Sequence, residues 1–268
     1  MSSFIKQAFL MSLLCIGIVT ITNAKGNDKI VGKEVTYTFN HVTMKGYVAY
    51  DGSIKGKRPA IVVVPEWWGN NDYAKGRARM LAELGYIAIA ADFYGDGKIA
   101  ENPTQAQEYA TPFYKDANIG KDRLEAAIKE LKEFPETDAS KIAAIGYCFG
   151  GSMVLNAIKM GTDLKGVVSF HGGLMTAPAS KSSVKGKILV CHGGSDKFIP
   201  AEDIANFRKN LDTTGVNYTF ITYPNATHAF TNPDATANGK KFNLPIEYNK
   251  EADKKSWNDM KDFFKTIF

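Results

Sequence analysis

Between Ile142 and Met160 the chain switches from one hydrophobic period to another across a turn with almost no room in it. Ile142 to Ile145 is a short apolar run of the kind that forms a buried strand, and Ser152 to Met160 has helical spacing. The residues between them, Gly146-Tyr147-Cys148-Phe149-Gly150-Gly151, set a cysteine at the apex with glycines on both sides. A strand that turns directly into a helix forces its apex residue into a strained backbone conformation. Flanking glycines remove the side chains that would collide there. The sulfur is then exposed at a helix N-terminus, where the dipole and free N–H groups favour a thiolate. Taken alone, the motif also fits a glycine-rich turn around a small buried cysteine.

Residues 1–24 read as a secretory signal, with Lys6 as the positive start, an apolar run from Ala8 to Thr20, and Thr22-Asn23-Ala24 as a small-residue cleavage site. Cleavage there leaves a mature chain beginning at Lys25, exported to the periplasm or secreted. Cys15 offers a lipoprotein alternative, but the bulky Leu14 stands where such processing prefers a small residue. No other stretch is long and apolar enough to form a stable membrane span. Residues 25–268 suit a single α/β domain with a sizeable core. The net charge of +5 comes from lysines scattered among acids, without the basic stripe that nucleic acid requires. No Cys/His spacing resembles a zinc site and no Gly-Lys phosphate loop is present, so neither metal nor cofactor is expected. Cys191, the third cysteine, sits in the apolar run Ile188 to Cys191 and reads as strand packing.

Strands and helices alternate along the chain. Glu34 to Tyr50 reads as a hairpin turning near Asn40-His41, and Ala60 to Val64 and Ile87 to Ala91 read as buried strands. Asp72 to Leu84 is helical and stops at Gly85. Asp92 to Thr104 is irregular, and Gln105 to Phe134 is helical with expected breaks near Pro112 and around Asn118–Gly120. After the cysteine turn come strands at Val167 to Phe170, Ile188 to Cys191 and Asn217 to Tyr223, with a helix at Ala201 to Leu211. A last amphipathic helix, Lys250 to Ile267, turns Trp257, Met260, Phe263, Phe264 and Ile267 to the core. The pattern predicts a mostly parallel central sheet with helices on both faces, its chemistry at the carboxyl ends of the strands.

Two further residues pass that positional filter. Asp196 follows one strand in Gly193-Gly194-Ser195-Asp196, and His228 follows the last in Asn225-Ala226-Thr227-His228. Either alone would be a turn aspartate or a loop histidine. In the order nucleophile, acid, histidine they form a triad in which Cys148 attacks, His228 moves the proton and Asp196 orients the imidazole. Charge developing on a carbonyl oxygen calls for two N–H donors, expected from Phe149 and from Trp67 in Pro65-Glu66-Trp67-Trp68-Gly69. His171 and His192 also end strands but read as packing and turn residues; Ser152 and Ser195 are assigned no chemistry.

With these residues in view, the chain resembles the dienelactone hydrolase family of the α/β-hydrolases over nearly all of residues 25–268. The resemblance lies in Gly146-x-Cys148-x-Gly150-Gly151, Glu66 in Pro65-Glu66-Trp67-Trp68-Gly69, Asp92-Phe93-Tyr94, Gly194-x-Asp196 and His228-x-Phe230. It implies the α/β-hydrolase fold, a Cys148–His228–Asp196 triad, and a Glu66 that lies beside the sulfur and helps to activate it. Members specific for dienelactones carry two arginines for the substrate carboxylate. Here the corresponding positions hold Asp96 and Asn232, which lack that charge and geometry. Trp68, Phe93, Tyr94 and Phe198, with Trp67 and Phe149, are therefore expected to make an aromatic pocket for a small neutral ester or lactone. A cofactor-free hydrolase acting as a monomer through an acyl-thioenzyme is the leading expectation. Acyl transfer to an acceptor other than water would use the same residues, and a non-catalytic envelope binding protein on this scaffold is a third possibility.

Overall fold

A computed structural model describes residues 29–174 and 176–268. The stretch expected to be a secretory signal, residues 1–24, lies outside them. The hairpin forms from β1 (Ile30–Phe39) and β2 (Val42–Asp51), closed by Asn40 and His41 in the left-handed region. Then follow β3 (Arg58–Val64), α1 (Asp72–Glu83), β4 (Ile87–Ala90), α2 (Pro103–Lys115), α3 (Ala117–Lys132), β5 (Thr137–Tyr147) and α4 (Phe149–Lys159). The remainder is β6 (Gly166–Phe170), β7 (Lys187–Gly193), α5 (Ala201–Thr214), β8 (Tyr218–Tyr223), α6 (Ala235–Phe242) and α7 (Lys250–Lys265).

The strands form one sheet in the order β1-β2-β4-β3-β5-β6-β7-β8, antiparallel through β1, β2 and β4 and parallel beyond. The α/β reading of the sequence is thus the fold observed. Central strands are apolar on both sides because both sides are covered. Along β3, Ala60, Val62 and Val64 pack in the core shared with α2–α5, while Ile61 and Val63 pack beneath α1 and α7. Met260, Phe263 and Phe264 of α7 are buried in that second core, with Trp257 and Ile267 against it. No helix of the described residues is long and apolar enough to cross a membrane.

The chain runs from β3 to β4 on one side and later returns to β5 on the other. The sheet order therefore reverses between β3 and β5, and such a reversal opens a crevice at the carboxyl ends of the strands. Six loops leave from that edge, following β3, β4, β5, β6, β7 and β8.

Three boundaries differ from the sequence reading. Pro112 lies inside α2 without breaking it; the single break falls at Asp116, whose side chain leaves α2 and accepts the Asn118 N–H at 2.9 Å to start α3. Gly120 is helical, and its missing side chain lets Met153 of α4 approach, where a Cβ would come within 2.7 Å of the sulfur. Helix α4 starts at Phe149 rather than Ser152, so Gly150 and Gly151 belong to its first turn. Helix α6 was not expected: only Ala235 and Gly239 of it are buried, which leaves no apolar stripe to read.

The glycines around the β5–α4 turn act by size. A Cβ on Gly146 would overlap the Gly150 carbonyl, one on Gly150 the carbonyls of Val64 and Pro65, and one on Gly151 the Ser169 hydroxyl and Gly172. Gly150→Ala should therefore lower stability by about 1–3 kcal/mol, which for a chain of this size corresponds to about 2–4 °C of Tm per kcal/mol. Calorimetry of the variant beside wild type measures this, and an unchanged Tm would contradict the close approach.

Candidate active site

The Cys148 turn sits at the reversal between β3 and β5. Cys148 has φ 51° and ψ −114°, an unfavourable conformation for a residue with a side chain. It is held on both sides: Gly150 N–H donates to the Pro65 carbonyl at 3.1 Å, and Ser152 N–H to the Cys148 carbonyl at 3.3 Å. The sulfur opens into a cavity of about 360 Å³.

His228 enters the same cavity from the loop after β8, and Asp196 stands behind it on the loop after β7. His228 Nδ1 and Asp196 Oδ2 are 2.8 Å apart, and the other Asp196 oxygen accepts the Phe198 N–H at 2.9 Å. Both residues are buried. Burial by itself would push the imidazolium down. The Cys148 charge and the hydrogen bonds to Asp196 and Cys148 outweigh it and hold the His228 pKa well above its ordinary value.

Glu66 follows β3 and lines the cavity beside Cys148. Its Oε2 accepts the Asn232 side-chain N–H at 2.6 Å, while Oε1 is buried without a partner. Burial pushes this carboxyl up to about 7, against the opposing pull of the Asn232 hydrogen bond, His228 and Arg77. Asn232 thus contacts the acid through a neutral amide. Asp96 forms no part of the cavity wall and donates its backbone N–H to the Thr43 carbonyl at 2.7 Å.

The N–H groups of Trp67 and Phe149 have no backbone acceptor among the described residues, and both residues line the cavity. The Tyr94 hydroxyl donates to the Trp67 carbonyl at 2.8 Å and steadies that peptide. Trp68 and Phe198 also line the cavity, with the Phe198 ring 5.0 Å from that of His228. Phe93 and Tyr94 do not, contrary to expectation. Both follow β4, one strand removed from the β3–β5 reversal, and pack behind Phe149 at 6.0 and 5.7 Å between ring centroids.

Sequence reasoning missed the opposite wall. Leu244 and Ile246, from the segment after α6, line the cavity with Gln107 and the exposed Tyr114. That segment is pinned beside the histidine loop by a β-bridge from His228 to Ile246 and by Asn249 N–H donating to the Phe230 carbonyl at 3.0 Å. A bridge of this kind leaves no periodic trace. Neither lysine nor arginine lines the cavity among the described residues.

His171, read as a packing residue, contacts the site directly. Its Nδ1 accepts the Cys148 N–H at 3.1 Å, and its ring lies 5.3 Å from that of His228. His192 and Ser195 lie outside the cavity, and Ser152 donates to the Gly173 carbonyl at 3.2 Å. Cys148 and Cys191 are both free thiols. Cys191 is buried in the core on the α1/α7 side, where burial pushes its thiol up to about 12. Among the described residues, no cluster of three or more His, Cys, Asp or Glu is disposed to hold a metal.

The dienelactone hydrolase family model matches residues 18–268. The chain belongs to the dienelactone hydrolase family. With that membership goes the class of enzyme, an ester or lactone hydrolase. It is 28% identical to Protein usf of Aquifex pyrophilus over 75% of this chain and 88% of that one. Two solved structures superpose with TM-scores of 0.84, each covering 90% of this chain and 99% of the other. One is a dienelactone hydrolase-like promiscuous phosphotriesterase from metagenomic libraries, 33% identical, and the other is m3DLH, 35% identical.

The raised Glu66 pKa has a consequence for stability. The folded protein holds this proton more tightly than the unfolded chain does. The resulting stabilisation is complete below the ordinary value of 4.5 and is lost as pH rises through about 7. Glu66→Gln removes the titration, so the variant should gain on wild type by roughly 3 kcal/mol between about pH 4 and pH 8. Denaturant melts across that range measure it; a constant difference would mean that Glu66 is not desolvated.

Proposed function

We propose that this protein hydrolyses small neutral esters or lactones through an acyl-thioenzyme on Cys148. The observation that carries the reading is His228, which stands between the Cys148 sulfur and the Asp196 carboxylate at the cavity wall. The thiolate attacks the carbonyl carbon, and the displaced electron pair settles on the oxygen beside the N–H groups of Trp67 and Phe149. Collapse of the adduct expels an alkoxide, which takes the proton from the His228 imidazolium and leaves a thioester. His228, now neutral, removes a proton from water; the hydroxide attacks the thioester and returns the sulfur as thiolate, re-forming the ion pair. Glu66, a buried carboxyl that titrates near neutrality, holds or releases a proton beside the sulfur as substrate enters.

A neutral substrate follows from the lining. Apart from Gln107 and the His228 that serves the sulfur, a carboxylate in this cavity would meet mostly aromatic and aliphatic side chains and the Glu66 carboxyl, with no guanidinium or ammonium to pair it. The likeness to a promiscuous phosphotriesterase adds neutral phosphotriesters to the substrates worth screening, since a P=O oxygen would use the same two donors. The same reading has the chain exported as a monomer after cleavage at Ala24.

Residues 25–268 should release p-nitrophenol from p-nitrophenyl butyrate, and Cys148→Ala should abolish it; undiminished turnover in that variant rejects the mechanism. An analogous aryl ester with a terminal carboxylate should show kcat/KM at least about tenfold lower, because no guanidinium or ammonium is there to pair the added charge. Equal rates would overturn the assignment of a neutral substrate. N-terminal sequencing of protein exported by the cell should begin at Lys25.

A further inference from the structure

His171 lies at the end of β6, between the loop that carries Cys148 and the loop that carries His228. Its φ of 41° puts it in the left-handed region, a conformation that needs support from its surroundings. Each ring nitrogen is engaged. Nδ1 accepts the Cys148 N–H at 3.1 Å, an N–H that also reaches the Phe170 carbonyl at 3.0 Å. With Nδ1 an acceptor, the ring proton resides on Nε2, which donates to Thr231 Oγ1 at 2.7 Å. Thr231 is three residues beyond His228 and is fully buried. It is itself anchored from α1, by the Tyr73 hydroxyl at 2.7 Å from its Oγ1 and by Arg77, which donates to its carbonyl at 2.6 Å. The His171 ring also packs edge-on against His228 and Phe230, at 5.3 and 5.2 Å between centroids.

We propose that His171 is a positioning residue, tying the strained Cys148 backbone to the histidine loop through the chain Cys148 N–H···His171···Thr231. Cys148 and His228 come from different strands, and no direct backbone hydrogen bond joins their loops among the described residues. The distance between sulfur and imidazole therefore depends on what spans them. An imidazole that accepts at one nitrogen and donates at the other spans them with fixed geometry, and catalytic groups lose rate steeply when that geometry loosens. The proposal rests on the reading of Cys148 as nucleophile and His228 as its base.

Two substitutions cut the link at the same point. Thr231→Val removes the hydroxyl. His171→Asn keeps an acceptor for the Cys148 N–H and tolerates positive φ, but falls short of Thr231. Each should lower kcat on p-nitrophenyl butyrate by about tenfold with KM within about twofold, and the double variant should be no worse than either one. Thr231→Ser should recover most of the rate. Tyr73→Phe, which cuts only the outer end, should stay within about twofold of wild type. Exchange of the Cys148 amide proton, followed by NMR, should quicken in Thr231→Val although that residue does not touch Cys148. Multiplicative losses in the double variant, a Tyr73→Phe defect equal to that of Thr231→Val, or unaltered amide exchange would each overturn the proposal. Were Cys148→Ala to retain activity, the nucleophile reading would fall, while amide exchange would still decide whether the coupling exists.

Discussion

The site depends on backbone packed against backbone where the β5–α4 turn meets the end of β3. Gly150 lies so close to the carbonyls of Val64 and Pro65 that no side chain fits between them, and its N–H donates to Pro65. That contact holds Cys148 at a positive φ, which an unsupported residue would relax. It also brings the Glu66-Trp67 segment alongside the cysteine, because Pro65 is the residue before Glu66. The sulfur, the carboxyl and both unpaired N–H groups thus share a single packing constraint.

Electrostatics at the site follow from burial with few counter-charges. The His228 pKa is held well above its ordinary value because Cys148 and Asp196 face it from two sides and outweigh its desolvation. Glu66 is desolvated with only an amide as direct partner, so it titrates near neutrality. Asn232 in place of a guanidinium leaves the Glu66 carboxyl with a neutral hydrogen-bond partner, and neither lysine nor arginine lines the cavity among the described residues. Arg77 is nearby, but its guanidinium is engaged by the Thr231 carbonyl and Asp253. It braces the histidine loop from behind.

Much of this was legible in the chain because it follows local rules. Runs such as Ala60–Val64 and Ile188–Cys191 mark strands covered on both faces, and the alternation of strands with helices specifies a mostly parallel sheet. Gly-x-Cys-x-Gly-Gly marks the sharp turn, and the order Cys148, Asp196, His228 puts each residue after its own strand. The continuity of α2 through Pro112 was not legible, because a proline inside an apolar helical pattern ordinarily signals a break. That Phe93 and Tyr94 lie one layer behind the cavity was not legible either, because a motif beside a strand end does not say which strand flanks the reversal.

The sequence by itself determined the strands, all the helices but α6, the strained turn and the set of chemical groups available, since each depends on neighbours within a few residues. Tertiary structure decided which groups meet. Leu244 and Ile246 reach the cavity only through a bridge to His228, and His171 matters only because β6 lies between the two loops it joins. Neither relation has a period or a spacing that a linear reading can detect. Contacts between segments far apart in the chain are set by sheet order and packing, and those exist only once the whole sheet has formed.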